Sequence, residues 1–402
     1  MFQQQGRPAI ESQCLALKIV NAALSRIEFQ ARRTELIARP FGIEVDPCNG
    51  CTLACPGCIH SVETRRFGLF DWPRGVLSPD RYEMFLDRYG PYASNILLCN
   101  YGEPLLNPRT PDYIRAAKRY LAQATISTSL SVRQFDADAY VASGLDYMIV
   151  SIDGATQPVY ERFRRNGDLS LVYENLHWLV EARASANTRF PVIAWQYLAF
   201  EHNVHEIPLA LEKAESIGIN EFRITPPFDV SWDDPEMRPA RDVRMRVVPL
   251  EPVWPEDYAS NWNRFPDEIN GAAIQKAFEY AWPSIGAGPL QPAAPVSTCP
   301  WLYTNTIMDA GGRLLPCCCA PAKGQDLVFG QIDGNNPTAD LFNTPKHLAA
   351  REFFRTGERI PGGPHCMNCT WLPAKPDIDP LHLRQYLYAA GEPAAGDWLA
   401  AW

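Results

Sequence analysis

The chain lacks any run of about 18 apolar residues, so nothing in it reads as a membrane-spanning helix. It has no excess of basic charge: 37 Lys and Arg against 46 Asp and Glu leave −9 at pH 7 over 402 residues. That argues against a nucleic acid or an anionic membrane as partner. No basic segment followed by an apolar run stands near Met1, so a cytoplasmic location is expected. Internal repeats and low-complexity tracts are missing too. Cysteine is scarce for a disulfide scaffold: twelve make about 3% of the chain, against roughly 8–10% in secreted frameworks. In a reducing compartment they read as metal ligands or core thiols. What is present is an ordinary globular composition, 46% hydrophobic and 21% charged, long enough for one large core and a smaller module.

Apolar residues recur at helical spacing over 13–37 (Cys14, Leu17, Val20, Leu24, Ile27, Ala31), with Asn21, Ser25, Glu28 and Arg32 on a neighbouring face. This predicts a leading helix that packs on the next domain. From Gly42 to Ile224 short apolar runs alternate with amphipathic segments, the pattern of a parallel sheet with crossover helices. Strands are expected near 43–46, 95–99, 124–128, 147–152, 192–199 and 221–224, and helices over 79–89, 111–121, 137–143, 158–164, 170–183 and 204–217. Six such units with right-handed connections make an α/β fold that curves into an open barrel. The rhythm stops at Pro226; a Pro- and Trp-rich connector comes next, with one helical stretch near 271–280. Asn305–Met308 and Arg313–Leu315 read as a hairpin around Asp309–Gly312. The expected divisions are a helical extension (1–40), a barrel (41–230), the connector (231–298), a cysteine-rich α+β module (299–373) and a tail (374–402).

Cys48, Cys51, Cys55 and Cys58 crowd the loop after the first strand. Loops let several thiolates converge on one inorganic core, and three ligands on a four-iron cube leave one iron open to an exogenous chelator. Cys48 is a possible fourth ligand that would close the site, and a four-cysteine zinc site is the alternative. A second group comprises Cys299, the triplet Cys317, Cys318 and Cys319, and the pair Cys366 and Cys369. Four thiolates from it, counting one of the triplet, would close a cluster or hold a structural zinc. Cys99, in an apolar run, and Cys14 read as core thiols, His60 as a neighbour of the cluster loop, and His202 and His205 as cap or surface residues.

Cys51-x3-Cys55-x2-Cys58 after strand one, Tyr101-Gly102-Glu103-Pro104 after strand two and Ser151-Ile152-Asp153-Gly154 ending strand four resemble the radical S-adenosylmethionine (radical SAM) superfamily. The Cys299-Pro-Trp301, cysteine-triplet and Cys366–Cys369 features resemble its SPASM subgroup. The resemblance implies a partial (β/α)6 radical SAM barrel followed by a SPASM-like auxiliary-cluster domain. It implies a 4Fe–4S cluster on Cys51, Cys55 and Cys58 whose open iron is chelated by S-adenosylmethionine. Reductive cleavage then gives a 5′-deoxyadenosyl radical that abstracts hydrogen from a peptide or small-metabolite substrate. An external electron donor such as a flavodoxin or ferredoxin is implied as partner.

By the same resemblance Gly102, Glu103 and Pro104 receive the methionyl amino group, with Glu103 orienting the loop. Ser127, Ser151, Asp153, Gln196 and Leu198 line the cofactor pocket, Asp153 being equally suited to capping the next helix. Arg164, with Arg165 as competitor, faces the cofactor carboxylate. Cys299, Cys317, Cys366 and Cys369 are the implied ligands of an auxiliary 4Fe–4S cluster, Cys318 being the alternative to Cys317. The position before the third cysteine, often aromatic in the family, is Gly57 here. The competing reading is a zinc-stabilised, non-enzymatic protein- or RNA-binding module.

Overall fold

The computed structural model describes residues 7–62, 74–227, 237–241, 243–250, 299–318, 327–335, 339–361 and 363–368. The expectations for 271–280, for Cys319 and Cys369, and for the side chain of Cys14 lie outside the described residues. All six expected strands form: β1 (Gly42–Val45), β2 (Asn95–Leu97), β3 (Gln123–Thr128), β4 (Tyr147–Ser151), β5 (Val192–Leu198) and β6 (Glu221–Thr225). They pair in sequence order, each parallel to the next. Parallel pairing requires crossovers, supplied by helices that include Pro79–Tyr89, Thr110–Lys118, Leu169–Ser185 and Ile207–Ile217. The mixed α/β architecture expected from the alternation is the one found.

Alternate strand residues part to opposite faces. Ile96, Ile126, Met148, Val150, Ile193, Trp195 and Phe222 join Leu176, Leu179, Ala210 and Ala214 in the large core between sheet and helices. Burying each large apolar side chain there contributes about 1.5–3 kcal/mol. On the other face Tyr147, Ile149, Val192 and Ala194 meet Phe190 in a small separate cluster, the apolar floor of the barrel interior. Polar side chains on the inner face therefore lie above a dry plug.

Both sheet edges are extended by the later chain. The expected hairpin forms as β8 (Asn305–Met308) and β9 (Arg313–Leu315), but β8 lies parallel to β1, with Gly42 opposite Asn305 and Val45 opposite Met308. β10 (Gly330–Gln331) pairs with β9. Within the connector, β7 (Arg246–Pro249) runs antiparallel to β6, a strand that its composition did not announce. The described sheet thus has ten strands, with β8 and β2 flanking β1. Among the described residues no helix is long and apolar enough to cross a membrane.

The leading helix runs from Arg7 to Gln30, stopping short of the expected end at Ile37, and its polar stripe is not a solvent face. Asn21, Ser25 and Glu28 are all buried. Asn21 bonds both backbone groups of Arg39, Ser25 donates to the Tyr303 carbonyl, and Glu28 accepts from Ile37 and Ala38 N–H. A buried return loop has orphan backbone groups that these side chains satisfy.

Candidate active site

β1 delivers the chain to a loop fixed at its start. Cys48 forms a β-bridge with Val76, Asn49 N–H donates to the Gly75 carbonyl, and the Asn49 side chain accepts from Ala310 N–H in the hairpin turn. Beyond it, Cys51, Cys55 and Cys58 pack with Leu53, Phe163, Leu198, Phe200 and Met237 in one apolar nest. The Leu53 N–H points at the Cys51 sulfur at 3.4 Å, and Arg164 Nη1 reaches the Cys55 sulfur at 3.9 Å. Gly57 has φ +74°, a left-handed turn that gives a physical reason for glycine just before the third cysteine.

Burial pushes the Cys55 thiol up to about 12, with Arg164 opposing, and burial together with nearby Glu103 raises Cys51 further. The three sulfurs sit close enough that charge on Cys55 or Cys58 raises Cys51 as well. Thiols so placed stay protonated unless a metal core supplies the compensating positive charge. Among the described residues no three His, Cys, Asp or Glu side chains converge on the point of a single metal ion. The donor chemistry, three sulfurs on one loop in an apolar nest, one buried and two half-buried, fits an iron–sulfur core. Cys48 stands outside that nest: its sulfur accepts Gly50 N–H at 3.3 Å, and its carbonyl lies under Gly102.

The Asn100–Asn107 loop is clamped on two carboxylates. Asp46, directly after β1, accepts from the N–H of Asn100 at 2.8 Å, Tyr101 at 3.2 Å and Gly102 at 3.0 Å. Glu103 donates its N–H to the Gly50 carbonyl, while its carboxylate accepts from the Thr128 hydroxyl at 2.6 Å and from Ser129 N–H and hydroxyl at 2.9 and 2.7 Å. Glu103 therefore ties the cluster loop to the end of β3. Pro104 opens a short 3-10 turn whose first carbonyl is taken by Thr110, and His60 Nε2 meets the Tyr101 carbonyl at 3.0 Å. The Gly102 carbonyl meets the weak Cys99 thiol donor at 3.7 Å, which leaves it acceptor capacity. Cys99 lies just past the end of β2 and is half-buried behind this loop, not a core thiol as its apolar surroundings in sequence suggested.

Sequence reasoning missed Asp46, although an acid at the carboxyl end of a barrel strand is a usable signal. Burial pushes its carboxyl up to about 6, three backbone donors pull it down, and nearby Asp309, itself bonded to Arg313, adds to the rise. A carboxyl whose folded value exceeds its unfolded one costs nothing when protonated below about 4 and destabilises as pH rises through about 6. Wild type should lose about 3 kcal/mol of stability from this group across that window. Asp46→Asn should lack that component, read as the difference between the two proteins in urea midpoints at pH 4 and pH 7.

The strand ends bring the remaining residues together. Ser127 on β3 lies opposite Ile149, and Ser151 on β4 opposite Gln196 on β5, so Ser127, Ser151, Gln196 and Leu198 share the inner face. Asp153 is fully buried and engaged by its own chain: it accepts from Leu198 N–H at 2.6 Å and from Arg164 Nε at 2.5 Å. It does not cap the helix Gln157–Phe163, whose N-terminal Ala155 and Thr156 amides are received by Glu206. Arg164 thus lies between Asp153 and Cys55, while Arg165 offers its carbonyl to Ala54 N–H. Asn203, also missed, fixes the β5 loop through the Asp153 and Leu198 carbonyls. His202 stacks on Phe200, and His205 is exposed.

In the C-terminal part Cys299 and Cys366 both border an apolar cluster of Phe29, Leu302, Tyr303, Phe342 and Phe354. Cys317 and Cys318 come just after β9, and the Cys318 carbonyl accepts from the Tyr101 hydroxyl at 2.5 Å, joining the triplet to the Gly102 loop.

Residues 45–193 match the model of the radical SAM superfamily. Over that stretch, less than half of its length, the chain is similar to a radical SAM domain. Solved structures similar to it include BtrN in complex with AdoMet and 2-DOIA, at 16% identity over 83% of this chain and 93% of that one, with a TM-score of 0.43. Streptococcus suis SuiB bound to precursor peptide SuiA is similar at 12% over 80% and 66%, TM-score 0.47. Native anSMEcpe with bound AdoMet is similar at 14% over 88% and 97%, TM-score 0.48. These likenesses carry no substrate to this chain. No curated protein matches it.

Proposed function

We propose that Cys51, Cys55 and Cys58 hold a 4Fe–4S cluster, that S-adenosylmethionine binds beside it, and that a peptide or small metabolite reacts in the barrel. When bound, the reduced cluster and S-adenosylmethionine supply a carbon-centred radical able to take a hydrogen atom from the substrate. The protein's own residues bind and shield. Gly102 lets the backbone close on the cluster loop, and Asp46 and Glu103 hold that loop in place. The Gly102 carbonyl is an acceptor for an ammonium, and Arg164, oriented by Asp153, presents a guanidinium suited to a carboxylate. Ser127, Ser151 and Gln196 offer polar groups to ribose and adenine. Leu53, Phe163, Phe200 and Met237 keep water from the sulfurs.

The observation that carries the reading is the apolar nest that gathers the buried Cys55 and the half-buried Cys51 and Cys58 at the carboxyl end of β1, beside the doubly clamped Gly102 loop. Anaerobically reconstituted protein should be brown and release 5′-deoxyadenosine from S-adenosylmethionine with a strong reductant, and Cys55→Ala should lose at least about 100-fold of that rate. Colourless, zinc-loaded protein after reconstitution would sink the reading.

An auxiliary 4Fe–4S cluster on Cys299, Cys317, Cys366 and Cys369, in a SPASM-like module, belongs to the same proposal. Its support is that Cys299 and Cys366 border one apolar cluster. A flavodoxin or ferredoxin would supply the electron.

A further inference from the structure

Four polar side chains of the inner face stand together above the apolar floor. The register aligns Ser151 on β4, Gln196 on β5 and Arg223 on β6 in one transverse row, with Ser127 one step lower on β3. Phe222, next to Arg223, enters the outer core, so Arg223 belongs to the opposite face. There its guanidinium stands 4.9 Å over the Tyr147 ring, which is part of the floor.

Arg223 is held on one side. Its Nε and Nη2 donate to the same Glu221 oxygen at 3.1 and 2.9 Å, and the Tyr147 hydroxyl donates to that oxygen as well. Glu221 is nearly sealed at 7% side-chain exposure, whereas Arg223 keeps 31%. Two contacts thus fix the plane and edge of the guanidinium and leave Nη1 and the second Nη2 hydrogen to donate elsewhere. An arginine used only to neutralise Glu221 would have no need of an open edge in the same row as the two polar side chains that face the ligand space, Ser151 and Gln196.

We propose that Arg223 is a substrate-binding residue that receives a carboxylate, with Ser151 and Gln196 as neutral neighbours, so that the substrate carries a carboxylate in its buried part. The Glu221–Arg223 pair is neutral overall. A monoanion gains a charge-assisted hydrogen bond from the free edge, while a phosphate dianion also meets Glu221 and is disfavoured. The proposal rests on the reading of the barrel as a radical SAM active site.

The test uses reconstituted protein under anaerobic conditions. S-adenosylmethionine binding is measured first by calorimetry; its failure counts against the radical SAM reading, not against Arg223. With S-adenosylmethionine bound, a panel of N-acetyl amino acids is compared with the matching C-terminal amides. At least one acid should bind about ten-fold or more tightly than its amide. Arg223→Gln should bring that ratio to about one, and Arg223→Lys should keep part of it, with S-adenosylmethionine affinity within about two-fold in both. Because Arg223→Gln leaves Glu221 buried without its partner, the double variant Arg223→Gln, Glu221→Gln repeats the comparison in a charge-balanced site. Acids and amides binding alike in wild type, or a preference for acids that survives in either glutamine variant, would overturn the proposal.

Discussion

Gly102→Ala should weaken S-adenosylmethionine binding by about 100-fold or more and destabilise the protein by about 3 kcal/mol. A methyl group there would sit 1.5 Å from the Cys48 carbonyl oxygen and 2.7 Å from its carbon, so one backbone must move. Neither is free to do so. Cys48 is bridged to Val76 and its neighbour Asn49 to Gly75, while Gly102 is held by Asp46 and followed by the clamped Glu103. The cause is close approach and not a left-handed conformation. Gly50→Ala is the matched control, because its added methyl would find only the Cys48 sulfur, at 3.5 Å. Calorimetry on reconstituted protein and urea melts of both variants decide the matter; equal behaviour of the two would refute the steric account.

Arg351→Met should cost about 3–5 kcal/mol of stability, the larger of the two losses in folding. Arg351 is fully buried, and its fork donates to the Leu302 carbonyl at 2.9 and 2.8 Å, the Phe342 carbonyl at 2.8 Å, the Thr34 carbonyl at 3.1 Å and the Asn343 side chain at 2.9 Å. Burial pulls its pKa down to about 10, which leaves it charged at neutral pH. Methionine fills a similar volume but abandons the buried Leu302 and Phe342 carbonyls and the half-buried Thr34 carbonyl, and lysine cannot reach the same fork of acceptors. The exposed Arg355–Glu352 pair on the same helix offers the contrast: Arg355→Ala should change stability by no more than about 0.5 kcal/mol. Urea denaturation of wild type and both variants measures the two effects.

Periodicity exposed the barrel strands and their helices because both faces of a parallel sheet are buried and each crossover helix is one-sided. The hairpin was legible through Asp309-Ala310-Gly311-Gly312, a local turn signal. The candidate site was marked in the sequence where chemistry and order coincide, in the three cysteines and the Gly102-Glu103-Pro104 turn, which the fold sets side by side. What escaped was non-local. Asp46 looks like any strand-ending acid until the loop after β2 folds back over it, and Glu206 caps a helix some fifty residues upstream. Asn21, Ser25 and Glu28 keep a polar rhythm that helical periodicity assigns to solvent, yet the return loop needs them. The partner of β8 could not be read at all, since its four residues carry no mark of which edge they will join.

That pairing has a consequence for how the chain is made. On a ribosome the first barrel strand emerges well before the hairpin of β8 and β9, and one side of it waits with bare amides and carbonyls until that hairpin arrives. Any nascent or shortened product that stops before β8 would carry an open seam beside its cysteine loop, ready to zip onto another copy. The later cysteine-rich stretch thus brings with it the hairpin that closes the open side of the first strand.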